Sequence, residues 1–139
     1  MILQIVWIYH KGSPLYARIW KLGDEDDYAL DLKINSVPFL TSIDKDAEII
    51  FLFKGGGKVT LKALKYTMSN KGAGVKSKIN ISEINGINPK YPFETPKVDF
   101  KTFQEQTVEK FRVYYSKGYV DYTVNKKQSQ MIQNMFKLL

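Results

Sequence analysis

Apolar and polar residues alternate along much of the first half of the chain, a spacing that predicts β-strands. Ile2–Tyr9 and Leu15–Leu22 are rich in β-branched and aromatic residues, and the turn signal Gly12–Pro14 separates them. Tyr28–Ile34 alternates cleanly between apolar and other residues. All three segments are therefore predicted to be strands.

The middle of the chain predicts a further group of strands. Val37–Leu40 is expected to be a short edge strand, because Pro38 cannot donate a hydrogen bond within a central ladder. Glu48–Lys54 is the most apolar run and is predicted to be a central strand. The glycines Gly55–Gly57 predict a hairpin that leads into a strand over Lys58–Thr67.

The stretch from Met68 to Pro92 has a different character. Its glycine, asparagine and proline residues are typical of turns, and they predict a connection of about 25 residues, broken by a short strand at Lys78–Ser82. Connections this long are uncommon in compact domains and often carry function. Two interpretations stay open here: a functional loop and a plain connection.

Two helices are predicted in the last third of the chain. Thr95 or Asp99 is suited to cap a helix over residues 96–106. Asn125 is suited to cap a second, amphipathic helix over Lys126–Leu138. The apolar residues expected to pack that helix on the sheet are Met131, Ile132, Met135 and Phe136.

Between these helices, Glu109–Tyr115 and Tyr119–Val124 are predicted to form a hairpin. Its turn is expected to span Ser116–Gly118, with Gly118 in the left-handed conformation. No repeat or linker divides the sequence, so residues 1–139 are predicted to form a single domain. The expected fold is β-rich α+β: an antiparallel sheet, or a partly closed barrel or sandwich, packed by the C-terminal helix.

The composition removes several kinds of chemistry. The chain contains no Cys and one His, which excludes thiol nucleophiles, thiolate zinc sites and two-histidine metal motifs. No G-x-S-x-G motif presents a serine to His10, and Asn70 and Val75 stand where a P-loop needs glycine. The sequence therefore predicts no catalytic activity and no cofactor. A hydrolase with a carboxylate site stays open, because such carboxylates meet only in three dimensions.

Charge is distributed unevenly along the chain, whose formal net charge is +7. Residues 1–50 hold five basic and eight acidic residues, whereas residues 51–139 hold sixteen basic and six acidic ones. The window from Lys54 to Lys78 contains seven lysines and no acid, and such asymmetry can steer an anionic partner. The alternatives are a solvated face, or pairing with the protein's own acidic run Asp24–Asp27.

The lysine window and its glycines define a candidate binding surface for an anionic protein or a polyanion. The backbone N–H groups around the glycines are expected to form an anion nest. The candidate residues are Lys54, Lys58, Lys62, Lys65, Lys71, Gly72, Gly74, Lys76 and Lys78.

Nucleic-acid binding is one form that this interaction could take. Tyr66, Tyr114 and Tyr119 are expected to be exposed, and exposed aromatics among lysines can stack on bases while the lysines contact phosphates. Arg18 and Arg112 are the only arginines, although base-edge recognition relies heavily on arginine. Any such binding is therefore expected to be mainly electrostatic and sensitive to salt.

No membrane-spanning segment or export signal is visible. Ile2–Tyr9 is far shorter than the roughly 20 apolar residues of a spanning helix. It also lacks a basic start and a small-residue cleavage site. The default expectation is an intracellular protein, and the alternative is the mature form of an exported one.

Three segments resemble a family of small β-rich proteins common in Bacteroidota: Tyr66–Gly74, Lys90–Phe93 and Lys110–Asp121. The resemblance covers about residues 48–139, including a glycine loop and a late hairpin before a final helix. It implies an intact domain. The activity of that family is not established, so the resemblance implies no functional residue. Many members carry an export signal and a cysteine in the glycine loop, and this chain shows neither.

Three functional hypotheses follow from the sequence. The preferred one is a non-catalytic binding or assembly module whose basic face engages an anionic partner. The second is a structural subunit of a larger assembly, such as a virion or a secretion apparatus. It predicts a homo- or hetero-oligomer. The third is the carboxylate-based hydrolase.

Overall fold

In the computed structural model, residues 2–8, 15–22, 27–37, 41–63, 65–71, 77–87 and 100–138 are described. They form eleven strands and two helices in this part of the chain. The strands are β1 Ile2–Ile8, β2 Leu15–Leu22, β3 Asp27–Val37, β4 Ser42–Ile43, β5 Glu48–Phe53, β6 Lys58–Lys62, β7 Thr67–Met68, β8 Asn70–Lys71, β9 Ser77–Ile87, β10 Val108–Tyr115 and β11 Gly118–Thr123. The helices are α1 Phe100–Glu105 and α2 Lys126–Lys137.

The strands form three antiparallel sheets. A five-stranded sheet has the order β1-β2-β3-β9-β8, a four-stranded sheet has the order β11-β10-β5-β6, and β4 pairs with β7. The predicted β-rich α+β fold with antiparallel sheets and a C-terminal helix is confirmed. The described strands do not close into a barrel, because each sheet ends in edge strands.

The predicted connection over residues 68–92 contains more strand than expected, and the short strand predicted at Lys78–Ser82 lies inside a longer one. Ser77–Ile87 forms an eleven-residue strand, β9, which pairs with β3 in the centre of the five-stranded sheet. The two strands have different spacings between paired residues. Ile81, Ile84 and Ile87 are three residues apart on β9, but their partners on β3 are only two residues apart. Each three-residue step carries an extra residue on β9, which is the mark of a β-bulge. Because of these bulges, the apolar residues of β9 do not recur at every second position in the sequence.

Other strand boundaries also differ from the expectation. The strand predicted over Lys58–Thr67 ends at Lys62, and Thr67–Met68 pairs with β4 instead of continuing it. Val37 belongs to the end of β3, while Pro38 and the two residues after it lie outside the described residues. The first helix begins at Phe100, and the predicted caps before it also lie outside the described residues.

The core joins both large sheets to the helices through one cluster of buried residues. Ala17, Leu30, Leu32 and Ile34 come from the five-stranded sheet and are buried with residues of β5, β6 and β10. The burial of Leu30, Leu32 and Ile34 accounts for the alternating apolar positions of β3.

Aromatic rings dominate the part of the core under the helices. Phe103 of α1 stacks on Phe136 of α2, with ring centroids 4.2 Å apart. The same ring meets Phe51 and Phe53 of β5 edge-on, at 5.3 and 5.0 Å. Phe111 of β10 stacks on Phe51 at 5.8 Å. These contacts fasten both helices to the inner side of the four-stranded sheet.

The C-terminal helix begins as the sequence predicts. The Asn125 side chain accepts a hydrogen bond from the Gln128 N–H at 2.8 Å, and the Gln128 side chain accepts one from the Asn125 N–H at 3.2 Å. This capping box satisfies two N–H groups that the helix leaves unpaired. Ile132, Met135 and Phe136 are buried, and Met131 is partly buried, so the predicted packing face is confirmed.

The hairpin of β10 and β11 is tighter than expected. Tyr115 pairs directly with Gly118, so the loop contains two residues instead of three. Gly118 has φ +127°, and it is the first residue of β11. A residue with a side chain would be strained at this backbone angle, so glycine fits here.

We predict that Phe103→Ala lowers the free energy of unfolding by about 3–5 kcal/mol, because it leaves a cavity among three aromatic rings, those of Phe51, Phe53 and Phe136. Leu138→Ala is the matched control, since Leu138 is 65% exposed, and it should change stability by less than about 0.5 kcal/mol. Urea unfolding measures both values. Equal small effects of the two substitutions would contradict the described core.

Candidate anion-binding face

The four-stranded sheet buries one side and leaves the other open. Alternate residues of β5, β6 and β10 are buried, so the residues between them point away from the core. We call the solvent-facing side of this sheet the outer face. It consists of Glu48, Ile50, Leu52, Lys58, Thr60, Lys62, Lys110, Arg112, Tyr114, Tyr119, Asp121 and Thr123.

Cations border Ile50 and Leu52 of β5 on this face, and we call these two residues the apolar strip. Lys58 of β6 pairs with Leu52 of β5, and Leu52 pairs in turn with Lys110 of β10. In the next row, Ile50 lies between Thr60 and Arg112. The cations on β6 and β10 are therefore two strand spacings apart, about 10 Å between backbones.

Residues of both rows line a shallow depression with a volume of about 210 Å³. Its lining residues are Ile50, Leu52, Lys58, Lys110, Arg112 and Asp121. Ile50 and Leu52 are only partly buried, so the apolar floor is open to solvent.

A β-bulge sets which residues of β10 reach the outer face. Val108 pairs with Phe53 and Lys110 pairs with Leu52, so β10 has one extra residue, Glu109, at this point. The bulge lets Val108 and Phe111, which are three residues apart, both enter the core. It also brings Lys110 onto the outer face beside Leu52.

Arg112 is held by a bidentate ion pair. Its Nε donates to Asp121 Oδ1 at 2.8 Å, and its Nη2 donates to Asp121 Oδ2 at 3.1 Å. This hydrogen bonding to Arg112 lowers the pKa of Asp121, and it raises the pKa of Arg112. Because the guanidinium is already paired, Lys58, Lys62 and Lys110 provide most of the positive charge available to a partner.

Two tyrosines lie at one end of the outer face. Tyr114 and Tyr119 are cross-strand partners, with ring centroids 5.8 Å apart and planes tilted by 57°. The Arg112 guanidinium carbon lies 3.9 Å from the centroid of the Tyr119 ring, a cation–π contact that fixes the ring. Tyr119 nevertheless remains 56% exposed and Tyr114 37% exposed. The predicted exposure of both tyrosines, and of Tyr66 at 54%, is confirmed.

The structure brings some of the sequence-predicted lysines together and separates others. Lys58 and Lys62 lie on the outer face of β6, and Lys65 is exposed shortly after the same strand. Lys54 lines a separate depression of about 440 Å³ with Glu109 and Lys126.

Two of the remaining candidates belong to another part of the fold. Lys71 and Lys78 lie on β8 and β9 of the five-stranded sheet. Gly72, Gly74 and Lys76 fall outside the described residues, so the anion nest and the lysine window as a whole stay predictions.

The sequence pattern does not assign Lys110, Ile50 or Leu52 to a site, and it presents Arg112 only as one of two arginines. The alternation of β5 and β10 indicates that these residues share a side of their own strands. Which strands are neighbours depends on pairing between distant segments, and the sequence pattern does not determine that pairing.

Two further tyrosines, Tyr115 and Tyr122, have raised pKa values and lie on the core side of the same sheet. The hydroxyl oxygens of Tyr115 and Tyr122 are 2.6 Å apart. Burial raises the pKa of both phenols, most strongly that of Tyr115. Both phenols are therefore protonated at neutral pH, and their hydrogen bond links β10 to β11 on the core side.

The described ranges contain no group of three or more His, Cys, Asp or Glu residues placed to hold a metal ion. Neither described helix has the length and apolar character needed to cross a membrane. Comparison of the chain with protein-family models, curated proteins and solved structures finds no match.

We predict that Asp121→Asn slightly destabilises the protein at neutral pH, because it removes the charge that faces Arg112. The pKa of Asp121 is lower in the folded protein than its ordinary value of 3.8. The stabilisation is therefore present above that value and lost as the pH falls through the folded pKa. Urea unfolding of both proteins at pH 7 and well below pH 3.8 should show a difference only at pH 7.

The matched control is Glu105→Gln, which breaks an exposed ion pair of Lys101 and Glu105 with a 3.8 Å separation. No measurable change is expected for it, because isolated surface pairs contribute little. An Asp121→Asn effect of the same size at both pH values would contradict an electrostatic role for this carboxylate.

Proposed function

We propose that this protein is a non-catalytic binding module whose outer face engages an anionic partner. The observation that supports this most is the row Lys58–Leu52–Lys110, in which an apolar residue lies between two exposed lysines. Such a surface attracts a polyanion by charge and offers apolar contact once the partner is in place.

Charge on the rest of the outer face is consistent with this role. The face carries the cations Lys58, Lys62, Lys110 and Arg112 against the acids Glu48 and Asp121. Asp121 is occupied by Arg112. Neither Lys58 nor Lys62 forms a salt bridge with another described residue, although Glu48 lies opposite Lys62 in the strand pairing.

The proposal extends the basic surface predicted from the sequence. Lys58 and Lys62 of the lysine window supply one border of the strip, and Lys110 supplies the other. Lys65 lies beyond the end of β6 and is exposed to solvent. The glycine loop of the window remains part of the proposal as a second contact region.

We predict that the triple variant Lys58→Glu, Lys62→Glu, Lys110→Glu weakens binding of a labelled heparin oligosaccharide by roughly tenfold or more, because each lysine lost removes a salt-dependent contact. Fluorescence anisotropy at low and at near-physiological salt measures this affinity. The slope of log affinity against log salt should also become shallower.

The control is the triple variant Lys101→Glu, Lys127→Glu, Lys137→Glu, which changes the net charge equally. These lysines are exposed and lie on α1 and α2, which pack on the inner side of the sheet. The control should retain most of the binding. An equal loss of heparin affinity in both variants would mean that binding depends only on the overall charge of the protein. That result would contradict a site on the outer face.

A further inference from the structure

We propose that the anionic partner of the outer face is a single-stranded nucleic acid, whose bases stack on Tyr119 and Tyr114 while its phosphates contact the bordering lysines. This inference rests on the proposed function and adds the chemical class of the partner. It is carried by the position of the two exposed tyrosines on the same face as the lysines.

The tyrosine pair has the features of a stacking platform. Arg112 lies over one side of the Tyr119 ring at 3.9 Å and holds the ring in place. Tyr119 is still 56% exposed, so part of its ring remains available to a flat partner. Tyr114, 5.8 Å away across the strands, extends the aromatic surface. A prepositioned ring loses little side-chain freedom when a base stacks on it, which favours binding.

The strip beside the tyrosines is suited to a single strand. Lys58 and Lys62 on β6 lie four residues apart, about 13 Å along the strand. Lys110 borders the strip on its other side, about 10 Å from β6. A flexible strand can place phosphates against these lysines and lay bases or sugars on Ile50 and Leu52.

A duplex fits this surface less well. The major groove of a duplex admits a helix or a two-stranded ribbon, and a four-stranded sheet face is wider than either. The described outer face also has one arginine, and Asp121 already occupies its guanidinium. Stacking is therefore the stronger source of recognition here.

An acidic peptide uses these features less completely. Peptides commonly bind a sheet by adding a strand to its edge, whereas Leu52, Lys110 and Tyr119 lie on a face. β5 and β10 are inner strands whose backbone groups already pair on both sides. An acidic peptide would satisfy the lysines but would leave the paired tyrosines without a flat partner.

The test compares two polymers of equal length and charge by fluorescence anisotropy: labelled oligothymidylate, and an abasic deoxyribose-phosphate oligomer. We expect oligothymidylate to bind more tightly. Tyr119→Ala should weaken its binding by roughly tenfold, since stacking on one aromatic side chain has an effect of that order. Tyr119→Phe should bind oligothymidylate as tightly as the unmodified protein does, because the aromatic ring is kept. Neither variant should change binding of the abasic oligomer.

Tyr66→Ala is the matched control, because Tyr66 is similarly exposed at 54% but is not part of the outer face. It should bind oligothymidylate as the unmodified protein does. An equal loss in Tyr66→Ala and Tyr119→Ala would overturn the assignment to this face. Tighter binding of a duplex than of oligothymidylate would overturn the preference for a single strand.

Failure of this inference is distinguishable from failure of the proposed function. If both oligomers bind equally and Tyr119→Ala has no effect, the partner is a polyanion recognised by charge, and only the stacking inference falls. If neither oligomer nor heparin binds at low salt, both this inference and the proposed function fall.

Discussion

The aromatic contacts between the helices and the four-stranded sheet determine which side of that sheet faces the solvent. Phe103 and Phe136 stack on each other, and Phe103 also meets Phe51 and Phe53 of β5. Because side chains alternate along a strand, burying these phenylalanines turns Ile50 and Leu52 outward. Burial of the apolar residues of β10 turns its cations outward in the same way. The candidate site is thus a consequence of the core.

The parts of the fold with regular spacing could be predicted from the sequence. The helix after Asn125, the strand beginning at Glu48 and the late hairpin follow from local caps, periodicity and turn residues. Only the Lys78–Ser82 part of β9 could be predicted as a strand, since two bulges opposite β3 disrupt its alternation, and its glycine and asparagines are typical of turns. Its place in the sheet depends on pairing with β3, about fifty residues earlier in the chain.

The candidate site could be predicted only in part for a related reason. Lys58 and Lys62 are visible as cations two alternations apart on one predicted strand. Their position opposite Lys110 requires β5 to lie between β6 and β10, and this order arises from contacts between distant segments. The bulge at Glu109 adds a further step, because it sets which residue of β10 faces Leu52. Charge along the sequence indicated a basic surface, and strand order determines its composition.

Amide chemical-shift mapping during a titration with a heparin oligosaccharide at low salt shows directly where on the protein an anion binds. We expect the largest changes on β5, β6 and β10 around Leu52, Lys58 and Lys110, and little change on α2. Changes centred on Lys126 and the neighbouring depression at Lys54, or no changes at all, would contradict a binding site on the outer face.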